Sequence, residues 1–111
     1  MRFREYQRLT NTTAIYPEKG TRSLAALSYV ALGLASEAGE VAGKVKKLIR
    51  DGDTPEKRHA IRKECGDVLW YLAQTLTELG AFDMELCAVE NIENLAGRAA
   101  RGTLHGEGDN R

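Results

Sequence analysis

The order of hydrophobic and polar positions along the chain resolves into helical patterns separated by short breaks. The first runs from about Phe3 to Thr10, ends in Asn11-Thr12-Thr13, and gives way to a connector through Pro17 and Gly20. The second spans about Arg22 to Arg50 and puts apolar or small residues at 24, 27, 31, 34, 38, 41, 45 and 48. That 3,4 alternation, held over three heptads, predicts a helix packed nearly parallel to its partners along this seam. Asp51-Gly52-Asp53 closes it, with Gly52 a natural C-cap. Thr54-Pro55 opens the third pattern, an N-cap residue followed by proline at the first helical position. Its stripe is Ile61, Cys65, Val68, Leu72, Leu76 and Leu79, and Gly80 ends it. Asp83 is a suitable N-cap for a last helix to about Arg101, with Ala88, Ile92, Leu95 and Ala99 on one face. A glycine-rich tail follows, from 102 to 111. No period-two alternation competes, so the expectation is an all-α bundle of one short and three longer helices.

The polar residues change this picture from a plain bundle to one with a chemical face. Glu37 and Glu40 are three apart, as are Glu64 and Asp67. Residues three apart are neighbours on a helix surface, so each pair is a two-carboxylate claw. Four carboxylates brought together repel unless cations lie between them, which makes the quartet a candidate site for hard divalent metals. Each acid stands one residue before a seam position, about 100° around the helix. So do Lys44 and Lys47 on the second helix, Tyr71 on the third, and Asn91, Asn94 and Arg98 on the fourth. If the helices share a core, these rows can line one cleft, with acids to hold metal and cations and amides to hold phosphate. A solvated edge is the plainer reading of such a row, but surface edges tend to intersperse charges rather than pair like with like. Gly39 and Gly66 lie inside the two acidic pairs. Glycine within a helix costs about 1 kcal/mol relative to alanine, so the two glycines predict close backbone approach or access for a ligand.

Composition narrows the classes. The chain has 111 residues, 16 basic and 16 acidic, for a formal net charge of zero. The basic excess of a duplex-binding protein is missing, and no nucleic-acid partner is expected. So short a chain buries a limited share of its surface, and oligomerisation is a plausible remedy. Met1-Arg2-Phe3-Arg4-Glu5 lacks the apolar region of a signal peptide. The weakly polar run from Leu24 to Ala35 is too short to span a bilayer and reads as a buried helix face. Cys65 and Cys87 form no C-x-x-C motif and read as reduced core thiols of a cytoplasmic protein.

In their surroundings, the acids carry a resemblance. Gly33-Leu34-Ala35-Ser36-Glu37-Ala38-Gly39-Glu40-Val41 and Glu64-Cys65-Gly66-Asp67-Val68-Leu69-Trp70-Tyr71-Leu72-Ala73 resemble the E-x-x-E, spacer, E-x-x-D pattern of the MazG-like all-α nucleoside triphosphate pyrophosphohydrolases. Asn91-Ile92-Glu93-Asn94-Leu95 is similar to the family's N-x-x-K-L step, with Asn94 where lysine is common. Arg98 or Lys44 is then the candidate for the missing phosphate contact. The resemblance covers roughly residues 20 to 101, giving a domain over 1–101, and Gly108-Asp109-Asn110-Arg111 resembles the C-terminal loop of some short members. It implies hydrolysis of a nucleotide at the α–β phosphoanhydride to monophosphate and pyrophosphate, with Mg²⁺ or Mn²⁺. It also implies homodimers, or tetramers built from dimers, with sites shared between subunits, and a role in nucleotide pool sanitation.

Oxygen-only ligands agree with Mg²⁺ or Mn²⁺ rather than zinc. Glu40, Glu64 and Asp67 are assigned to metal, and Glu37 to metal or to activation of water. Lys44, Lys47, Asn91, Asn94 and Arg98 are candidates for phosphate, Tyr71 for base or sugar, and Trp70 for the core in preference to base stacking. Three alternatives stay open. A phosphoribosyl-ATP pyrophosphohydrolase shares the metal logic. A di-iron bundle wants two E-x-x-H motifs, whereas the chain has only Glu56 to His59. The third is a non-catalytic helical module that binds nucleotide or metal for regulation.

Overall fold

In the computed structural model, which describes residues 1–109, four α-helices follow one another: α1 (Phe3–Thr10), α2 (Leu24–Asp51), α3 (Pro55–Gly80) and α4 (Met84–Arg101), with a 3₁₀ turn at Asn11–Thr13 after α1. The described residues contain no strand. The glycine-rich tail is described as far as Asp109; Asn110 and Arg111 lie outside the described residues.

Each helix begins where an oxygen-bearing side chain can take up an orphan backbone N–H. Ser23 accepts from Ala26 N–H, Thr54 from Lys57 N–H and Asp83 from Glu85 N–H. The second helix therefore starts at Leu24 rather than at Arg22, because Ser23 is its cap. At the end of α3, Gly80 is still helical and it is Ala81 that takes the left-handed conformation (φ 53°).

Helices α2 and α3 form an antiparallel hairpin and pack along much of their length, whereas α1 packs on α3 and α4. Gln7 ties these last three elements together: its Nε2 donates to Phe82 C=O (2.9 Å) and its Oε1 accepts from Met84 N–H (2.9 Å). Arg4 Nε reaches Asp83 Oδ2 at 2.7 Å. The small core joins Ala14 and Tyr16 of the connector to Ala26 and Val30 of α2, with Trp70 and Tyr71 packed against it.

The face of α2 that meets α3 is not the expected seam. Ala26 and Val30 are its fully buried residues, and Gly33, Glu37, Val41, Lys44 and Leu48 continue their line, all half-buried. This stripe is rotated from the seam by roughly one residue's turn of the helix. Seam positions Leu24 (81% exposed), Ala31, Ala38 and Val45 face outward, and Ile49 beside them is 78% exposed. The Leu24–Ala35 run is accordingly not a buried face. By length and composition α2 would be apolar enough to cross a membrane, yet only 11% of its most apolar window is buried. On α4, Leu86, Val89, Ile92 and Leu95 are exposed as well. Cys65 and Cys87 are free and exposed, not core thiols, because their flanks of α3 and α4 meet nothing within the chain.

Candidate functional site

The α2–α3 interface brings the acids together. Glu37, Glu40 and Glu64 each offer a carboxylate oxygen, and the three oxygens lie within 4.8 Å of one another. Such a donor set, oxygen only and negatively charged, fits a hard divalent cation. Glu37 and Glu64 are half-buried and Glu40 is exposed. Burial pushes the Glu37 carboxyl up, and the neighbouring charges of Glu40, Asp67 and Glu64 push it further in the same direction. Asp67 stands outside the triple but within the same field. Lys44, one turn beyond Glu40, places its Nζ 3.4 Å from Glu64 Oε1 and offsets part of the repulsion.

Open cavities of contrasting chemistry flank the acids. On one side, a cavity of about 460 Å³ is lined by Thr13, Glu37, Asp67, Trp70 and Tyr71. On the other, one of about 450 Å³ is lined by Ser36, Gly39, Glu40, Gly43, Lys44 and Lys47. The first wall is aromatic: Trp70 and Tyr71 meet edge to face with centroids 5.0 Å apart. Trp70 Nε1 donates to Thr13 Oγ1 at 2.9 Å. Trp70 therefore both packs on the core and lines the cavity. Burial raises the Tyr71 hydroxyl pKa, with Tyr29, Glu37 and Asp67 adding to it.

Tyr71 also fixes how closely the helices approach. A Cβ on Gly33 would fall inside its ring, so the close contact expected at a mid-helix glycine occurs at Gly33. At Gly39 and Gly66 a Cβ would meet nothing within 4 Å. Those two glycines leave open surface beside the acids instead of admitting a neighbouring backbone.

The fourth helix does not complete this cleft within one chain. Asn91 and Asn94 are exposed, and Arg98 is half-buried with its Nη2 on Asp109 C=O at 3.2 Å. None of the three lines either cavity beside the acids. The shared cleft expected from the polar rows thus forms between α2 and α3 alone, because α4 docks on α1.

Other residues around the site were not foreseen from the sequence. Tyr6 of α1 has its hydroxyl pKa raised by burial and then by the charge of Asp67, so the first helix reaches the edge of the acidic field. Glu78 and Gln74, each 1% exposed on α3, hold the connector. Their signal was available: two polar residues at i, i+4 spacing interrupt the apolar run from Val68 to Leu79.

Comparison with known proteins agrees with this geometry. Residues 26–102 match the family model described as the MazG nucleotide pyrophosphohydrolase domain. The chain is 44% identical over 110 residues to the Gene 37 protein of Mycobacterium phage L5, a match that covers 96% of each chain. No solved structure matches. The matched segment holds both acidic pairs, the aromatic wall and the lysines, and covers well over half of the chain: the protein belongs to the MazG nucleotide pyrophosphohydrolase family.

Proposed function

We propose that the protein hydrolyses a nucleoside triphosphate between its α- and β-phosphates, with Mg²⁺ or Mn²⁺ held by the acids of α2 and α3. The observation that carries this reading is the carboxylate triple set between an aromatic cavity and a lysine-lined one. The nucleoside lies against Trp70 and Tyr71, the phosphates cross the acids, and the pyrophosphate end meets Lys44 and Lys47. Bound there, a divalent cation supplies charge neutralisation for the phosphates and orientation of the α-phosphorus. Water forms the new bond to the α-phosphorus as the α–β anhydride bond breaks. The water's proton passes to a carboxylate, and pyrophosphate leaves. Glu37 and Asp67 share the cavity wall where that water would stand, while Glu40 and Glu64 lie toward the lysines.

The active form is proposed to be a homodimer, or a tetramer of dimers. The chain exposes 7830 Å², whereas a compact monomer of 12.2 kDa would expose about 6,100 Å². Its radius of gyration is 16.6 Å, against about 13 Å for a compact domain of this length. The excess, about 1,700 Å² per chain, is in the range an obligate dimer buries. A second copy of the chain, covering the open side of α2 and the exposed face of α4, accounts for it. It would also give Asn91, Asn94 and Arg98 a route to a site that they do not reach in their own chain.

The test is a panel of ribo- and deoxynucleoside triphosphates incubated with Mg²⁺, with monophosphate and pyrophosphate separated chromatographically. At least one substrate is expected to release the two in equal amounts, and Glu64→Gln is expected to lower the rate by two orders of magnitude or more, about what a lost charge-stabilising group costs. Release of orthophosphate alone, or full activity in Glu64→Gln, would sink the reading.

A further inference from the structure

Three turns beyond Asp67 on α3 lies a carboxylate with no part in the acidic cluster. Glu78 is 1% exposed, about 17 Å along the helix from Asp67 at 1.5 Å per residue, and too distant to touch phosphate. It is fully occupied by the connector before α2. Its Oε2 accepts from the Tyr16 hydroxyl and from Gly20 N–H (2.7 Å), and its Oε1 accepts from Arg22 N–H (3.0 Å). One turn earlier, Gln74 Oε1 lies 2.8 Å from the Tyr16 hydroxyl, whose single proton the two acceptors share. Gln74 Nε2 donates to Thr10 Oγ1 (2.7 Å) and Asn11 Oδ1 (3.0 Å). The two buried side chains thus clamp segment 10–22 at both ends.

That segment carries one wall of the aromatic cavity. Thr13 accepts from the Trp70 indole. The Tyr16 ring stacks on Tyr29 (centroids 5.6 Å apart) and meets Trp70 edge to face (6.4 Å). Trp70 in turn braces Tyr71. An unbroken series of contacts therefore runs from a buried carboxylate to the rings beside Glu37 and Asp67. A polar clamp fixes geometry more narrowly than apolar packing, since each bond is directional and a buried group left unpaired is costly.

We propose that Glu78, acting through Tyr16, is a positioning residue for the nucleoside end of the site: it sets the spacing of Thr13, Trp70 and Tyr71, and so governs how tightly base and sugar are held, not how fast the anhydride is cleaved. This rests on the reading of that cavity as the nucleoside end.

The chain has a single tryptophan, so selectively excited fluorescence reports Trp70 alone. Tyr16→Phe keeps the stacked ring and removes only the hydroxyl. Glu78→Gln keeps the shape and removes the charge. In both, acrylamide quenching of Trp70 is expected to rise, KM for the best triphosphate to rise about fivefold, the equivalent of one hydrogen bond, and kcat to stay within about twofold. Inhibition by inorganic pyrophosphate, which does not use the nucleoside cavity, is expected to be unchanged. Unaltered quenching and KM in folded Tyr16→Phe overturns the proposal, as does a parallel weakening of pyrophosphate inhibition, which would mark general loosening. If Glu78→Gln does not fold, Tyr16→Phe decides alone. If the wild type turns over no nucleotide, the proposed activity fails, while the quenching still shows whether Glu78 fixes this wall.

Discussion

Gly33→Ala tests the packing that builds the site. A Cβ at this position would lie 2.5 and 2.6 Å from Cδ1 and Cζ of Tyr71 and closer still to Cε1, whereas carbon atoms pack at about 3.5–4.0 Å. The ring would have to retreat by about 1 Å, and it is held in place by Trp70. Overpacking of this kind costs about 1–3 kcal/mol, against about 1 kcal/mol gained by replacing a helical glycine with alanine. At Gly39 the same substitution meets open space and collects only the gain. The two alanine variants are therefore expected to differ by about 2 kcal/mol, with Gly39→Ala the more stable. For a domain of this size that is about 10 °C in Tm, measured by circular dichroism without metal at one protein concentration. A double-mutant cycle with Tyr71→Leu assigns the cause: Gly33→Ala should cost little once the ring is gone. Equal melting of Gly33→Ala and Gly39→Ala, or a cycle with no coupling, would refute the reasoning.

Three further outcomes are expected. Added Mg²⁺ should raise the wild-type Tm progressively, by the equivalent of about 2.7 kcal/mol at a concentration one hundred times its Kd. Glu40→Gln and Glu64→Gln should flatten that response and melt higher than wild type in chelator, where the acids repel unopposed. Burial pushes the Glu78 carboxyl up, but hydrogen bonds from Tyr16, Gly20 N–H and Arg22 N–H outweigh it and hold its folded pKa below the usual value. Its contribution to stability is then fully present above the unfolded pKa and lost as pH falls through the folded one. Urea midpoints measured down the acid limb should fall less steeply in Glu78→Gln. Ile49→Lys, on the open side of α2, should halve the mass seen by sedimentation and leave the helix content of the chain intact; an unchanged mass would rule that face out of the interface.

The sequence carried the helices because their ends are chemically marked. Ser23, Thr54 and Asp83 are caps whose side chains can be matched to particular backbone donors, and the three-residue break at Gly52 leaves α2 and α3 no choice but to fold back. The acids were legible for a similar local reason: i, i+3 spacing puts them on one face whatever the tertiary structure. The facing of α2 was not legible, because two stripes compete. The seam through Leu24, Ala38 and Val45 is the more apolar, yet α3 packs on Ala26, Val30, Gly33 and the charged continuation at Glu37 and Lys44. Periodicity ranks faces by hydrophobicity, and here the less hydrophobic one meets α3. Gly33 and Tyr71, a glycine and a large ring thirty-eight residues apart, give no pairwise signal in one sequence.

That choice of face links the site to assembly. Acids and a lysine at positions that would otherwise hold leucine or valine remove apolar area from the α2–α3 interface. The described chain is left with six fully buried hydrophobic residues, two of them on α2. The apolar residues of α2 have not disappeared; they stand on its other side, with Leu24, Leu32 and Ile49 each more than two-thirds exposed. A helix with a chemical face toward its own hairpin partner and an apolar face toward solvent has its hydrophobic stabilisation still to collect. In the proposed dimer the second copy supplies it, so a cation between the acids and a partner on the open face stabilise the same helix from its two sides. Metal affinity and self-association should then rise together: Mg²⁺ should tighten the dimer of the wild type, and should leave the dissociation constant of Glu64→Gln where it was.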